Sequence, residues 1–319
     1  MLKSLQAGRA IAALMVVLYH MGPAVEKYFG LGALAAPWGR AGVEFFFVLS
    51  GFIIASAHWD DIGRLDRLGR FAWKRFVRIY PIYWVVFLLA FTGAYRLLNL
   101  SVAEVLHGLL LTPTGVAPVI SVAWSLQWEI VFYVLFASLI VHPALALAVL
   151  AAVLIGLPGS PKYLMLFLAG VACAVVDRRQ LAVPGRLVAL IGTLVFAAAS
   201  AVETVSGGQP VFWYGVGAAL LVLGLVRAER AGHMIGAHPA LQLLGNASYS
   251  IYLLHYPFIS AACKVAAAVG LRGPAWGAAV YAVVLMAAVA AGVLLHLYVE
   301  RPLIDRLTAR RPVLAPVAD

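Results

Sequence analysis

The run Arg9-Ala-Ile-Ala-Ala-Leu-Met-Val-Val-Leu-Tyr-His20 decides how this chain is read. It is apolar between a guanidinium and an imidazole, and an imidazole inside an apolar helix is costly unless a partner offsets it. Wound as an α-helix, the stretch from Arg9 to His20 turns through about 1100°, close to three full turns, and rises roughly 16 Å. Both side chains therefore share one face, half a bilayer apart. This is the geometry of a site that runs from a membrane surface to mid-depth.

The rest of the chain agrees with a membrane setting. Of 319 residues, 64% are hydrophobic and 11% charged, against about 25% charged in a soluble domain. The expected fold is an all-α polytopic membrane protein. The net charge of +10 does not indicate nucleic acid, because the basic residues sit in short loops rather than on one amphipathic face. Cys173 and Cys263 both fall in apolar stretches and are expected to pack as small hydrophobes, with no disulfide and no metal. Lys3 and Arg9 ahead of the first apolar run resemble a secretory leader, but no small-x-small cleavage site follows, so the run is expected to be retained.

Ten runs approach the length of about 20 residues that crosses the hydrocarbon core: 10–29, 42–57, 79–95, 122–141, 144–157, 163–176, 187–202, 211–226, 243–263 and 276–299. Lys and Arg are retained on the cytoplasmic side. With both termini cytoplasmic, seventeen basic residues fall inside and six outside, the six being Lys27, Arg40, Arg96, Lys162, Lys264 and Arg272. The longest link, 96–121, is apolar at 105–111 and is expected to be interfacial or re-entrant. One membrane domain, 1–311, is expected, followed by a short cytoplasmic tail, 312–319.

Charged and imidazole side chains inside spans are functional candidates by default. Four stand out: His20, Glu44 in Gly42-Val-Glu-Phe-Phe-Phe-Val-Leu-Ser-Gly51, Glu129 in Trp124-Ser-Leu-Gln-Trp-Glu129, and His255 in Tyr249-Ser-Ile-Tyr-Leu-Leu-His255. His20, Glu129 and His255 all fall about half-way along their spans, which permits one shared site. His58, His107, His142, His233, His238 and His296 read as loop or interface residues, and Ser50-Gly51 as a packing point.

A second group is Lys74-Arg75-Phe-Val-Arg78-Ile-Tyr80-Pro-Ile-Tyr83-Trp84 at the inner mouth of the third span. Arg75 and Arg78, three apart, share a helical face, and guanidinium forks suit phosphate oxygens. The same residues also satisfy the positive-inside rule and an aromatic belt. Arg9 at the same leaflet tips the reading toward a phosphate-bearing ligand from the cytoplasm, with Glu300 as an ion-pair partner for the cluster. No glycine-rich phosphate loop or Gly-x-Ser-x-Gly elbow is present.

Taken together these motifs resemble the acyltransferase-3 family of integral membrane acyltransferases, which includes bacterial exopolysaccharide and O-antigen O-acetyltransferases. The resemblance rests on Arg9 and His20, Gly42-Val-Glu-Phe-Phe-Phe-Val-Leu-Ser-Gly-Phe52, Arg75-x-x-Arg78 with Tyr80-Pro81, Trp124-Ser125-Leu126 with Glu129, Leu244-Gly-x-x-Ser-Tyr-Ser250 running to His255, and Val299-Glu-Arg-Pro302. It implies ten core helices, a cytoplasmic acyl-CoA donor, most often acetyl-CoA, and a hydroxyl acceptor on a saccharide or lipid-linked glycan. It also implies His20 as the central catalytic residue. No extracytoplasmic hydrolase-like domain is expected. The catalytic set is thus His20, Glu129, Glu44 and His255, the donor-binding set Arg9, Arg75, Arg78 and Tyr80, and no metal is expected.

Acyl transfer from a thioester to a hydroxyl needs a base for the hydroxyl proton. His20 meets that need, with Glu129 or Glu44 orienting it; a transient acyl-histidine is the competing route. The expected setting is the bacterial inner membrane, among membrane lipids, with a second copy of the chain or the envelope polysaccharide assembly machinery as partners. The alternative is a proton-coupled transporter or flippase of a phosphorylated lipid or glycan, disfavoured by the absence of an internal repeat.

Overall fold

The computed structural model describes residues 2–98, 100–113, 118–157 and 159–309. Arg310, Arg311 and the expected tail 312–319 lie outside the described residues. The chain runs through thirteen α-helices, with no strand among the described residues: α1 (Lys3–Phe29), α2 (Gly42–His58), α3 (Leu68–Leu98), α4 (Val102–Leu110), α5 (Trp124–Val141), α6 (Pro143–Gly156), α7 (Ser160–Arg178), α8 (Gly185–Ser206), α9 (Val211–Arg230), α10 (Pro239–Asn246), α11 (Ser248–Ala268), α12 (Pro274–Leu295) and α13 (Arg301–Ala309).

The runs expected to span lie on helices, except that the ninth, 243–263, is divided at Ala247 between α10 and α11. Eight helices among the described residues are both long and apolar enough to cross a membrane. Of the other two, α3 has the length, 31 residues, and carries Arg70, Lys74, Arg75 and Arg78 ahead of its apolar run from Ile79. The 14 residues of α6 rise only about 21 Å against a core of about 30 Å.

Local chemistry explains the helix ends. The link at 101–111 folds as α4, opened by a capping box in which Ser101 and Glu104 exchange hydrogen bonds,. Its terminal carbonyls are taken by α3: Tyr83 Oη donates to Gly108 O (2.6 Å), Trp84 Nε1 to Leu109 O (3.0 Å) and Tyr80 Oη to Leu110 O (3.0 Å),. His142 and His238 precede prolines and cap α6 and α10, each Nδ1 accepting an amide N–H two residues on. The start of α1 has no cap of its own. Glu229 of α9 supplies one, its carboxylate accepting Lys3 N at 2.9 Å and Ser4 N at 2.7 Å,.

Helix α1 packs against α2, α9, α10, α11 and α12, so the Arg9–His20 stretch is central. Close crossings depend on glycine. A Cβ on Gly51 would stand 2.1 Å from Phe167 O, and one on Gly170 1.9 Å from Val48 O, so α2 and α7 meet backbone to backbone.

Candidate active site

A cavity of about 260 Å³ opens among α1, α2, α3, α5 and α11, with Arg9, Ser50, Arg75, Arg78, Glu129 and Tyr252 in its wall. Each guanidinium is held by a different device. Arg9 donates from Nε (3.1 Å) and Nη2 (2.8 Å) to Ser248 Oγ, the first residue of α11. Arg78 lies over the Tyr249 ring at 5.1 Å and donates from Nη1 to Glu300 Oε1 at 3.2 Å. Glu300 is 1% exposed and also accepts Ser250 Oγ (2.7 Å) and faces His296 Nδ1 (2.8 Å). It occupies the last position of a π-turn, His296–Glu300, between α12 and α13; such wide turns re-aim side chains at functional sites. Arg75 sits 5.7 Å from the rings of both Phe71 and Tyr133, with Nη2 3.3 Å from His58 Nε2.

Glu129 gives the cavity its carboxylate. One oxygen accepts both Tyr133 Oη (2.6 Å) and Ser50 Oγ (2.9 Å). Three cations in one cavity with forked donors suit a ligand with several anionic oxygens.

His20 does not line this cavity; it meets His255. His255 Nδ1 lies 2.7 Å from Tyr252 O and 3.1 Å from Ile251 O. Carbonyls only accept, so this nitrogen carries the proton and Nε2 holds the lone pair. His255 Nε2 is 3.0 Å from His20 Nδ1, which must therefore be the donor; His20 Nδ1 also faces Val16 O at 3.0 Å. The remaining nitrogen, His20 Nε2, is left with a lone pair. His255 is fully buried, while His20 is half-buried beside Tyr256, 5.1 Å between ring centres. Tyr252 belongs to the cavity wall and stands 5.9 Å from the His255 ring. The phosphate-suited cavity and the imidazole pair are thus adjacent along α11.

Neither carboxylate expected to orient His20 touches it. Glu129 is committed to Ser50 and Tyr133. Glu44 belongs to a second cluster, where Arg40 bonds Glu44 Oε1 and Glu203 Oε1 at 2.7 Å each and Tyr214 Oη donates to Glu203 Oε2 at 2.7 Å. The reason is helical phase: Val43, Phe46, Ser50 and Ile53 of α2 face the cavity, and Glu44 is rotated off that face. Tyr80 is likewise outside the cavity wall, its hydroxyl spent on α4.

By sequence His58 reads as a loop or interface residue and Ser50 as a packing point, and Tyr133 is not singled out; in the structure His58 is buried against Arg75, and Ser50 and Tyr133 are in the cavity wall. Ser50 was recoverable from its spacing with Val43 and Phe46 along α2. His58 and Tyr133 carry no local signal, because what marks them is contact with Arg75 and Glu129 on other elements.

The sequence model of the acyltransferase-3 domain family matches residues 2–298, and the chain belongs to this family of acyltransferases. It is an integral membrane acyltransferase, and the transporter reading gives way. Among curated relatives, the exopolysaccharide production protein ExoZ of Rhizobium meliloti (strain 1021) is 31% identical over 92% of this chain and 96% of its own length. Acyltransferase MdmB of Streptomyces mycarofaciens is 28% identical over 98% of this chain and 94% of its own length. No solved structure matches the chain.

Proposed function

We propose that this protein is an acyl-CoA-dependent O-acyltransferase that moves an acyl group, acetyl in the first instance, to a hydroxyl of a cell-envelope or extracellular saccharide. It would work in the bacterial cytoplasmic membrane, with the Arg75 end toward the cytoplasm. The observation that carries this reading is the His20–His255 imidazole pair, 3.0 Å apart, joined through Tyr252 to a cavity walled by three guanidinium groups.

The donor's phosphates bind Arg75, Arg78 and Arg9, and the pantetheine arm runs along α11 toward His20, roughly 16 Å beyond Arg9 by helix rise. His20 Nε2 takes the proton of the acceptor hydroxyl as its oxygen bonds to the thioester carbonyl carbon. The tetrahedral intermediate collapses, the C–S bond breaks, and the imidazolium returns the proton to the CoA thiolate. His255 supports both steps by accepting from His20 Nδ1, which fixes the ring and spreads the charge. A saccharide acceptor is supported by the ExoZ relative, named for exopolysaccharide production.

The test uses purified protein in lipid nanodiscs with acetyl-CoA labelled on the acetyl group and an envelope glycan extract. Free CoA and alkali-labile label on glycan are expected together, and both should vanish in His20→Ala while CoA binding persists. Transfer that continues unchanged in His20→Ala would end the assignment.

A further inference from the structure

The steps above leave His58 without a task. Its imidazole is 2% exposed at the end of α2, with Nδ1 2.7 Å from Asp61 Oδ2 and Nε2 3.3 Å from Arg75 Nη2. A guanidinium offers only donors, so His58 Nε2 must be the lone-pair nitrogen. The ring proton then sits on Nδ1 and is donated to Asp61. Phe71 meets the ring edge-on at 86° with centres 5.0 Å apart, and Phe136 approaches at 6.5 Å. Ring plane, tautomer and acceptor direction are all set before any ligand arrives.

Arg75 needs such a guide. The two aromatic rings at 5.7 Å favour the cation over their faces but do not select which N–H points where. The His58 contact makes that selection by engaging Nη2. Arg75 Nε is then buried with no hydrogen-bond partner among the described residues. An unmet buried donor is unfavourable, so the hold on Arg75 comes from His58 and the two rings while the residue keeps a place in the cavity wall, where its guanidinium suits a phosphate oxygen.

We infer that His58, oriented by Asp61, is a positioning residue that presents the Arg75 guanidinium to the phosphates of the acyl donor; this rests on the acyl-CoA reading above. A long, flexible side chain held in its bound orientation in advance loses less freedom when ligand binds. His58 therefore acts on donor affinity and leaves the chemical step at His20 alone.

Two amides separate this role from plain packing. In His58→Gln the side-chain oxygen can reach the place of Nε2 and still accept from Arg75. In His58→Asn it reaches only the place of Nδ1, and Arg75 loses its acceptor. Binding of CoA is measured at equilibrium in nanodiscs, and steady-state rates are measured with acetyl-CoA and with S-acetylpantetheine, which lacks the nucleotide phosphates. His58→Asn is expected to weaken CoA binding and raise KM for acetyl-CoA about tenfold, the scale of one weakened charged hydrogen bond. Its kcat and its KM for S-acetylpantetheine should stay within about twofold of wild type, and His58→Gln should stay near wild type throughout. Asp61→Ala, which leaves His58 in place but removes the oxygen that accepts its Nδ1–H, should raise KM for acetyl-CoA in the same sense and serves if His58→Asn does not fold.

Equal losses with both donors, or equal losses in the two amide variants, would show packing alone and overturn the role. If wild type binds CoA and neither His58→Asn nor Asp61→Ala changes it, the positioning role falls and the acyl-CoA reading stands. Wild type that binds no CoA removes both.

Discussion

His255 Nε2 accepts the Nδ1 proton of His20 across 3.0 Å, in a chain anchored on the backbone carbonyls of Tyr252 and Ile251. The role proposed for His20 needs its second ring nitrogen tied down, and carboxylates are the common choice. Here another neutral imidazole has that place, which avoids burying an additional charge at mid-membrane.

From this pairing follows a graded loss. His255→Phe keeps the volume but removes the acceptor, so His20 can turn and change tautomer. Turnover is expected to fall about 10²-fold, the low end of the range for base catalysis, with CoA binding unchanged. His20→Ala combined with His255→Phe should be no worse than His20→Ala alone, since the two act as a unit. A fully additive double variant would mean that His255 works independently.

Glu44 is predicted to matter for folding and not for chemistry. In Glu44→Gln, Arg40 retains its bond to Glu203, and turnover should remain within about threefold, as for a group that does not enter the transition state. Arg40→Met strips the cation from two buried carboxylates and is expected to cost about 3–5 kcal/mol, read as a lower melting temperature in nanodiscs. A large drop in kcat for Glu44→Gln at unchanged melting temperature would return Glu44 to the mechanism.

Tyr80 and Tyr83 should separate from donor binding in the same way. Tyr83→Phe removes the 2.6 Å bond to Gly108 O, which is expected to cost about 1 kcal/mol, or up to about 3 if the carbonyl is left unsatisfied. Tyr80→Phe loses the matching bond to Leu110 O. In both variants KM for acetyl-CoA should stay within about twofold. A selective rise in KM for Tyr80→Phe would place its hydroxyl on the donor after all.

The crossing of α2 and α7 gives a packing test with an internal control. Gly170→Ala puts a Cβ 1.9 Å from Val48 O and 2.7 Å from Phe52 N, and backbone cannot step aside as a side chain can. A loss of about 1–3 kcal/mol is expected. At Gly69, in the first turn of α3, a Cβ meets nothing within 4 Å, so Gly69→Ala should be neutral or stabilise by up to about 1 kcal/mol. Matching melting temperatures for the two variants would contradict the crossing.

Much was readable from residue order alone. Hydropathy runs, loop charges and the Arg9–His20 spacing mark a helical membrane protein with a polar face on α1, because lipid demands that backbone polar groups be satisfied within each segment. Glu129 was identifiable as a costly group inside an apolar span, and Arg9, Arg75 and Arg78 as phosphate-suited cations at one leaflet; these four converge on one cavity. Partnership was not readable, since a residue's chemistry depends on which atoms other helices bring to it. His20 and His255 are 235 positions apart and meet only when α1 packs on α11. Rotation of α2 about its axis sends Ser50 to the cavity and Glu44 to Arg40. The order of residues determined which groups could not be left unpaired in a membrane; the tertiary packing decided with whom each one pairs, and so which of them remain available for chemistry.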